Sequence, residues 1–300
     1  MIELMIETLI AGGLFVLGAA LGSFAAASVW RLRAVQLMMD KSHGEPVEKT
    51  ELAEVKKLTE QKRTVTNDRS VCLHCGRQLR WYDMLPVVSW LVFRGRCRTC
   101  KKPIGKMEIG AEIVLGFGFL VSYLVWPFEF STQGSVYFAL WLIMLVLLAV
   151  HWMYDTKWFL LLDKITVGIL LVALLYCGLR LAELPNGMLP GALLATLYVV
   201  AILPGFYGLL YLVSKGAWIG FGDVKLLIPF ALMLPTWEYG VLLIFLANLI
   251  GCLVLLPLMV TKRVGRMTKV PFGPFLILAF IITFLFGRQI LDFYLGTILF

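Results

Sequence analysis

The sequence predicts an all-α polytopic membrane protein of about eight transmembrane helices, with a polar, cysteine-bearing loop between the first two. Three observations carry this. The 300 residues are 60% hydrophobic and only 15% charged, with a mean hydropathy of +0.86, which leaves too little polar surface for a soluble domain of this size. The apolar residues come in blocks near the ~20 residues that a bilayer core of roughly 30 Å demands of a helix. Residues 31–107, by contrast, are polar and hold four of the six cysteines.

The blocks, in order, are Thr8–Trp30, Ile109–Pro127, Gly134–Met153, Ile165–Leu179, Met188–Val213, Val224–Leu234, Tyr239–Val260 and Phe272–Phe286. The first is expected to be a retained span rather than a cleaved leader. Its flank carries Glu3 and Glu7 with no basic residue, and Arg31 and Arg33 follow it. Its small-residue stretch Gly18–Ala27 reads as a close-packing helix face. Val224–Leu234 is short at 11 residues and suits a partly buried or re-entrant helix as well as a span. If the spans alternate with the termini outside, all Lys and Arg except Arg180 and Arg288 fall on the inner side, the asymmetry of the positive-inside rule. If the sixth block did not cross, Lys262, Arg263, Arg266 and Lys269 would end outside. The net charge of +8 therefore reads as topology in a lipid bilayer, and no nucleic-acid partner is expected. The domain division is residues 1–30 as a first helix, 31–107 as an inner-side loop with a compact module at about 70–107, and 108–300 as a membrane core.

Within the loop, Leu37–Arg69 has no Phe, Trp or Tyr. Glu54 with Lys57 and Lys56 with Glu60 suggest a solvated helix. Then come Cys72-Leu-His-Cys75 and Cys97-Arg-Thr-Cys100, two CxxC pairs with 21 residues between them. Each CxxC turn lets two thiolates reach one tetrahedral ion, and Arg77, Arg96, Arg98 and Lys101 offset their charge. A structural zinc site follows, zinc-ribbon-like, since four cysteines leave no open coordination position. Disulfides are disfavoured on a reducing cytoplasmic side. His74 reads as a surface residue, and Cys177 and Cys252 as packing residues. The run Arg80–Trp90 is expected either to form the module's small core or to lie on the membrane surface.

Two aspartates stand where a membrane chain avoids charge. Asp155 closes the third span and Asp223 opens the sixth, in Gly220-Phe221-Gly222-Asp223-Val224-Lys225. Both fall at the inner side although they are 68 positions apart. Ionisable groups at such depth are functional hypotheses by default. Two carboxylates meeting in a low-dielectric pocket share a proton, so one can activate water while the other polarises a carbonyl. Gly220 and Gly222 are expected to permit close backbone approach and a positive φ before the helix, with Lys225 supporting. Asp163 reads as a helix cap and His151 as an interfacial packing residue. A proton or ion relay in a transporter remains the alternative, although no repeat marks paired halves.

These residues resemble the type IV prepilin peptidases (prepilin leader peptidase/N-methyltransferases), GxGD intramembrane aspartyl proteases. The resemblance rests on Gly22-Ser23-Phe24 with Trp30-Arg31-Leu32, and on the tetracysteine loop with Trp81-Tyr82-Asp83, Pro86, Ser89-Trp90 and Arg94–Cys97. It extends to Glu112, Asp155, Gly220–Leu226 and Pro271-Phe272-Gly273-Pro274-Phe275. Leu162 stands where the family usually has proline, and Lys157 where it has an acid. The resemblance implies removal of basic leaders from type IV prepilins or pseudopilins at the cytoplasmic face of the cell (inner) membrane, with Asp155 and Asp223 catalytic. It also implies N-methylation of the new terminus from S-adenosyl-L-methionine, for which the sequence shows no donor-binding motif.

Overall fold

The computed structural model describes residues 1–44, 46–48, 51–53, 55, 70–185, 187–262, 265 and 270–298. The expected helix with Glu54, Lys56, Lys57 and Glu60 lies outside the described residues, as do Arg263, Arg266 and Lys269. Among the described residues there are helices, turns and two isolated bridges, and no strand. The helices are α1 (Ile2–Ser42), α2 (Val88–Val92), α3 (Lys106–Leu124), α4 (Thr132–Trp158), α5 (Asp163–Ala182), α6 (Leu189–Ser214), α7 (Phe221–Met233), α8 (Trp237–Val260) and α9 (Gly273–Ile298). Seven of them, all but α2 and α7, are long and apolar enough to cross a bilayer, so the chain is a multi-pass membrane protein. The sixth expected span is α7, only 13 residues long.

Packing divides the chain into two compact units, Met1–Leu124 and Val125–Phe300. In the first, α1 does not stop at Trp30 as the sequence suggests but runs 41 residues to Ser42. The extension stays helical because it has something to bury. Ala34 and Leu37, three apart on one face, are nearly inaccessible and pack with Val55 and Val71, flanked by Trp30, Leu52 and Leu73. Arg33 pairs with Glu51 beside this cluster. The small-residue stretch does what its composition suggests. A Cβ at Gly18 would lie 2.5 Å from the Leu115 carbonyl oxygen, and one at Gly22 would lie 2.5 Å from that of Ala111, so α1 and α3 touch backbone to backbone. The second span thus packs with the first, within a unit that continues past the expected core boundary at 108.

In the second unit α4 and α9 are the most buried of the long helices and α8 the most exposed. An aromatic column joins them: Trp141 of α4 stacks on Phe284 of α9 at 4.2 Å, and Phe280 of α9 stacks on Phe230 of α7 at 4.0 Å. The short α7 packs against α5, α6 and α9. Its Leu226, Leu227, Phe230 and Ala231 are wholly buried. A helix of about 20 Å needs no lipid match on its own when neighbouring helices surround it.

Candidate active site and metal centre

Asp155 occupies the last turn of α4, which closes at Phe159 in the left-handed region (φ 56°). The Phe159 amide bonds back to the Asp155 carbonyl at 2.8 Å. The Asp155 side chain is 6% exposed and accepts a 3.1 Å hydrogen bond from the Gly273 amide at the start of α9. That amide is one of the donors a helix start leaves without an intrahelical partner, so the carboxylate satisfies it and sits at the positive end of the helix dipole. Asp223 is the third residue of α7, 7% exposed, and its carboxylate is hydrogen-bonded by the Gly220 backbone. The two helix ends meet around Leu161, whose side chain packs at both Gly222 of α7 and Gly273, the donor to Asp155. The structure therefore brings together the two aspartates that the sequence singled out.

The glycines work differently from the expectation. Gly220 precedes α7 at φ −74°, and neither it nor Gly222 has a positive φ; in the preceding loop Lys215 and Gly216 take that conformation. What Gly220 and Gly222 supply is room. A Cβ on Gly222 would stand 3.0 Å from the Leu161 Cβ, and one on Gly220 3.3 Å from Asp223 Oδ2. Gly273 is tighter still: its Cβ would fall 2.6 Å from Asp155 Oδ2 and 3.5 Å from Leu161 Cδ2. Leu161 thus fills the space between the α7 entry and the α9 entry.

Asp163 is not a cap. The cap position of α5 is Leu162, which makes no side-chain cap bond. Asp163 instead forms a 2.7 Å ion pair with Lys225 of α7, joining the two helix entries at the surface. His151 is a packing residue, fully buried. Its Nε2 lies 2.9 Å from Thr166 Oγ1, and that hydroxyl also donates to the Leu162 carbonyl, pinning α4 to α5 one turn before Asp155. Two neighbours carried no residue-level signal beyond family likeness. Gly273 could be suspected from the Pro-Phe-Gly-Pro punctuation of a helix start. Tyr207 of α6 is buried, accepts from Asn248 at 3.0 Å, and its ring lies 5.7 Å from that of Phe272, next to Gly273; in sequence it is one aromatic among many.

In the first unit, the sulfurs of Cys72, Cys75, Cys97 and Cys100 lie within 4.8 Å of one another. Cys72 to Cys100 and Cys75 to Cys97 are each 4.0 Å, close to the ~3.8 Å edge of a tetrahedron with metal–sulfur bonds of ~2.3 Å. Two matching turns build this. The Cys72 amide bonds to the Arg77 carbonyl and the Cys97 amide to the Lys102 carbonyl, both at 2.9 Å. Each turn ends on a left-handed residue, Gly76 at φ 74° and Lys101 at φ 58°. Burial pushes the Cys72 thiol up to about 12. Burial also raises Cys97, but the Cys100 and Thr99 amides and the neighbouring thiols outweigh it and bring that thiol down to about 6. Backbone donors aimed at sulfur suit a thiolate cluster, and the four residues fit a metal ion. His74 is exposed and outside the cluster, Cys177 is buried and Cys252 exposed.

The run between the turns divides its roles. Asp83 holds Arg77 at 2.9 Å and accepts from the Arg80 amide, while Trp81, Val88, Leu91 and Val92 are exposed. Val87 sits at φ 60°, an unfavourable region for a β-branched residue. Its amide is held at 2.7 Å by the buried Glu112 of α3.

Comparison with known proteins agrees with this division. Residues 16–126 match the Bacterial Peptidase A24 N-terminal domain, and residues 141–256 the Type IV leader peptidase family. A prepilin leader peptidase/N-methyltransferase of Stutzerimonas stutzeri is 31% identical over 75% of this chain and 74% of its own length. A type 4 prepilin-like proteins leader peptide-processing enzyme of Escherichia coli is 30% identical over 89% of this chain and 90% of its own. A prepilin leader peptidase/N-methyltransferase of Pseudomonas aeruginosa is 30% identical over 93% and 91%. No solved structure gives a significant match. Matched in both halves and along nearly its whole length, the chain belongs to the type IV leader peptidase family.

Proposed function

We propose that this chain removes the leaders of type IV prepilins or pseudopilins by aspartyl-dyad hydrolysis, with Asp155 and Asp223 as the catalytic pair. The observation that carries the reading is the placement of two buried carboxylates at the ends of α4 and α7, around the same Leu161. One carboxylate, ionised, takes a proton from water; the other, protonated, donates to the scissile carbonyl, and no covalent intermediate forms. The Gly273 amide orients Asp155 for this role, and Gly220, Gly222 and Lys225 shape and brace the α7 entry. The names of the relatives support prepilins as substrates. The bias of Lys and Arg supports cleavage at the cytoplasmic face of the inner membrane. A relay in a transporter has no observation of its own in its favour.

The same names support a second activity, N-methylation of the new terminus from S-adenosyl-L-methionine. In this reading 108–300 contains the protease core, and the module at about 70–107 is held by zinc on Cys72, Cys75, Cys97 and Cys100. Bound there, zinc would be structural, because four thiolates fill a tetrahedral site.

The test is purified protein with a prepilin, followed by mass spectrometry for leader loss and methyl gain. Asp155→Asn and Asp223→Asn are each expected to lower cleavage by at least about 10³-fold while the protein stays inserted and folded. Cleavage retained in either variant would remove that aspartate from the mechanism.

A further inference from the structure

The run 81–92 in the polar module leaves large apolar side chains uncovered. Trp81, Leu91 and Val92 are 72%, 62% and 67% exposed, and Met84, Leu85 and Val88 are exposed with them. Val88, Leu91 and Val92 stand at i, i+3 and i+4, so α2 presents one apolar face. Exposed apolar surface of this extent on a polar module marks a place where it meets something apolar.

The level of this face is set by α3. That helix has 19 residues, a rise of about 28 Å, and a hydrocarbon core of roughly 30 Å takes all of it. Glu112 lies about 9 Å past the start of α3, so the helix cannot both keep Glu112 in water and cross. Glu112 Oε2 accepts from the Val87 amide at 2.7 Å, immediately before α2. Ile113 and Val114, which follow Glu112, are exposed, and at that level their surroundings are lipid. Glu112 therefore holds α2 at the edge of the bilayer.

The charges around the face match a lipid surface. Residues 80–106 contain seven Lys or Arg and a single acid, Asp83, which is taken up by Arg77. Arg80 directly precedes Trp81, Arg94 follows Phe93, and both are exposed. Arg98 lies over the rings of Tyr82 and Phe93, 5.3 and 5.7 Å from their centres, which fixes a cation beside the apolar run.

We propose that residues 81–92 insert into the headgroup–acyl boundary of the leaflet in which α3 begins, with the surrounding cations on anionic phospholipid headgroups. Tryptophan and arginine with apolar neighbours are the composition that this boundary selects, and each basic residue adds to the attraction for anionic lipid. A second copy of the chain fits the face badly, because two such cationic surfaces repel, and a basic leader meets the same repulsion. This placement does not depend on the peptidase reading.

The experiment puts the photo-crosslinking residue p-benzoylphenylalanine at Leu91 or Val92 of the full chain. The protein is reconstituted in phosphatidylcholine nanodiscs with or without about 30% phosphatidylglycerol, irradiated and digested, and mass spectrometry identifies the adducts. Val114, exposed on α3, is the lipid-side reference. Lys41, about 28 Å farther along α1 than Gly22, which lies against Glu112, is the water-side one. Phospholipid adducts at 91 and 92 should match those at 114, and their yield should rise at least about twofold in the anionic discs. Arg80→Gln/Arg94→Gln should remove that rise. Thermal unfolding reports that each protein is folded. A diazirine phospholipid should label unmodified protein within 81–93, which keeps the test open if a substituted chain does not fold. Adducts to a second copy or to added prepilin in place of lipid, or lipid yields at 91 and 92 no higher than at 41, would overturn the proposal. A yield indifferent to phosphatidylglycerol would overturn the role given to the cations.

Discussion

Asp155 receives the amide of Gly273, and a methyl group at that glycine would overlap the same carboxylate oxygen. The predicted outcome of Gly273→Ala is therefore a displaced Asp155 rather than an unfolded protein. A misplacement of order 1 Å costs about 10²-fold in rate, so kcat for leader cleavage should fall by about that factor with KM little changed. A rise in KM alone would show that Gly273 contacts substrate instead. The Lys225–Asp163 pair is different in kind, with side chains 36% and 71% exposed, and pairs this wet contribute at most about 1 kcal/mol. At this scale the sequence was legible where charge stood out against an apolar background. Asp155 and Asp223 are conspicuous because a membrane chain must justify them. For Gly220 and Gly222 the expected positive φ is absent while the backbone does pack closely, because a glycine letter does not say whether φ or space is the constraint. Leu161 and Tyr207 owe their positions to chain segments far away in sequence, and local pattern carries no trace of that.

Among the elements, α1 and α3 depend on contact between backbones, and α7 on being surrounded. Gly22→Leu should force α1 from α3 where a Cβ already meets the Ala111 carbonyl. The expected loss is about 3 kcal/mol, since overpacking against rigid neighbours costs roughly 1–3 kcal/mol or somewhat more. Thermal unfolding of the purified protein measures it, and Gly12→Leu, at a glycine with open space around it, is the matched control that should change little. The blocks of hydrophobicity located the membrane helices well, because period and length are local properties. The end of α1 was missed because polar residues after Trp30 look like a loop. What keeps them helical is Ala34 and Leu37 meeting Val55 and Val71, contacts that composition does not reveal.

For the molecule as a whole, two units and two family domains imply that the proposed activities should come apart on damage to the cysteine cluster. Wild-type protein is expected to contain one zinc per chain by metal analysis. The Cys72→Ser/Cys75→Ser double variant should lose it, with methylation falling well before leader cleavage, because thiolate-bound zinc supplies the folding energy of so small a module. Full zinc content in that variant would remove these residues as ligands. The paired CxxC spacing made the convergence of the four cysteines readable without a structure. The level of α2 was not readable, because it is fixed by the contact of Val87 with Glu112.

The unbroken α1 has a mechanical consequence. Its 41 residues make a rod of about 60 Å, twice the hydrocarbon thickness of roughly 30 Å. The residues after Trp30 are thus a stiff lever and not a slack tether. The same rigid element that Gly18 and Gly22 press against Leu115 and Ala111 therefore carries the Ala34–Leu37 cluster, and membrane packing and the polar cluster share one continuous support.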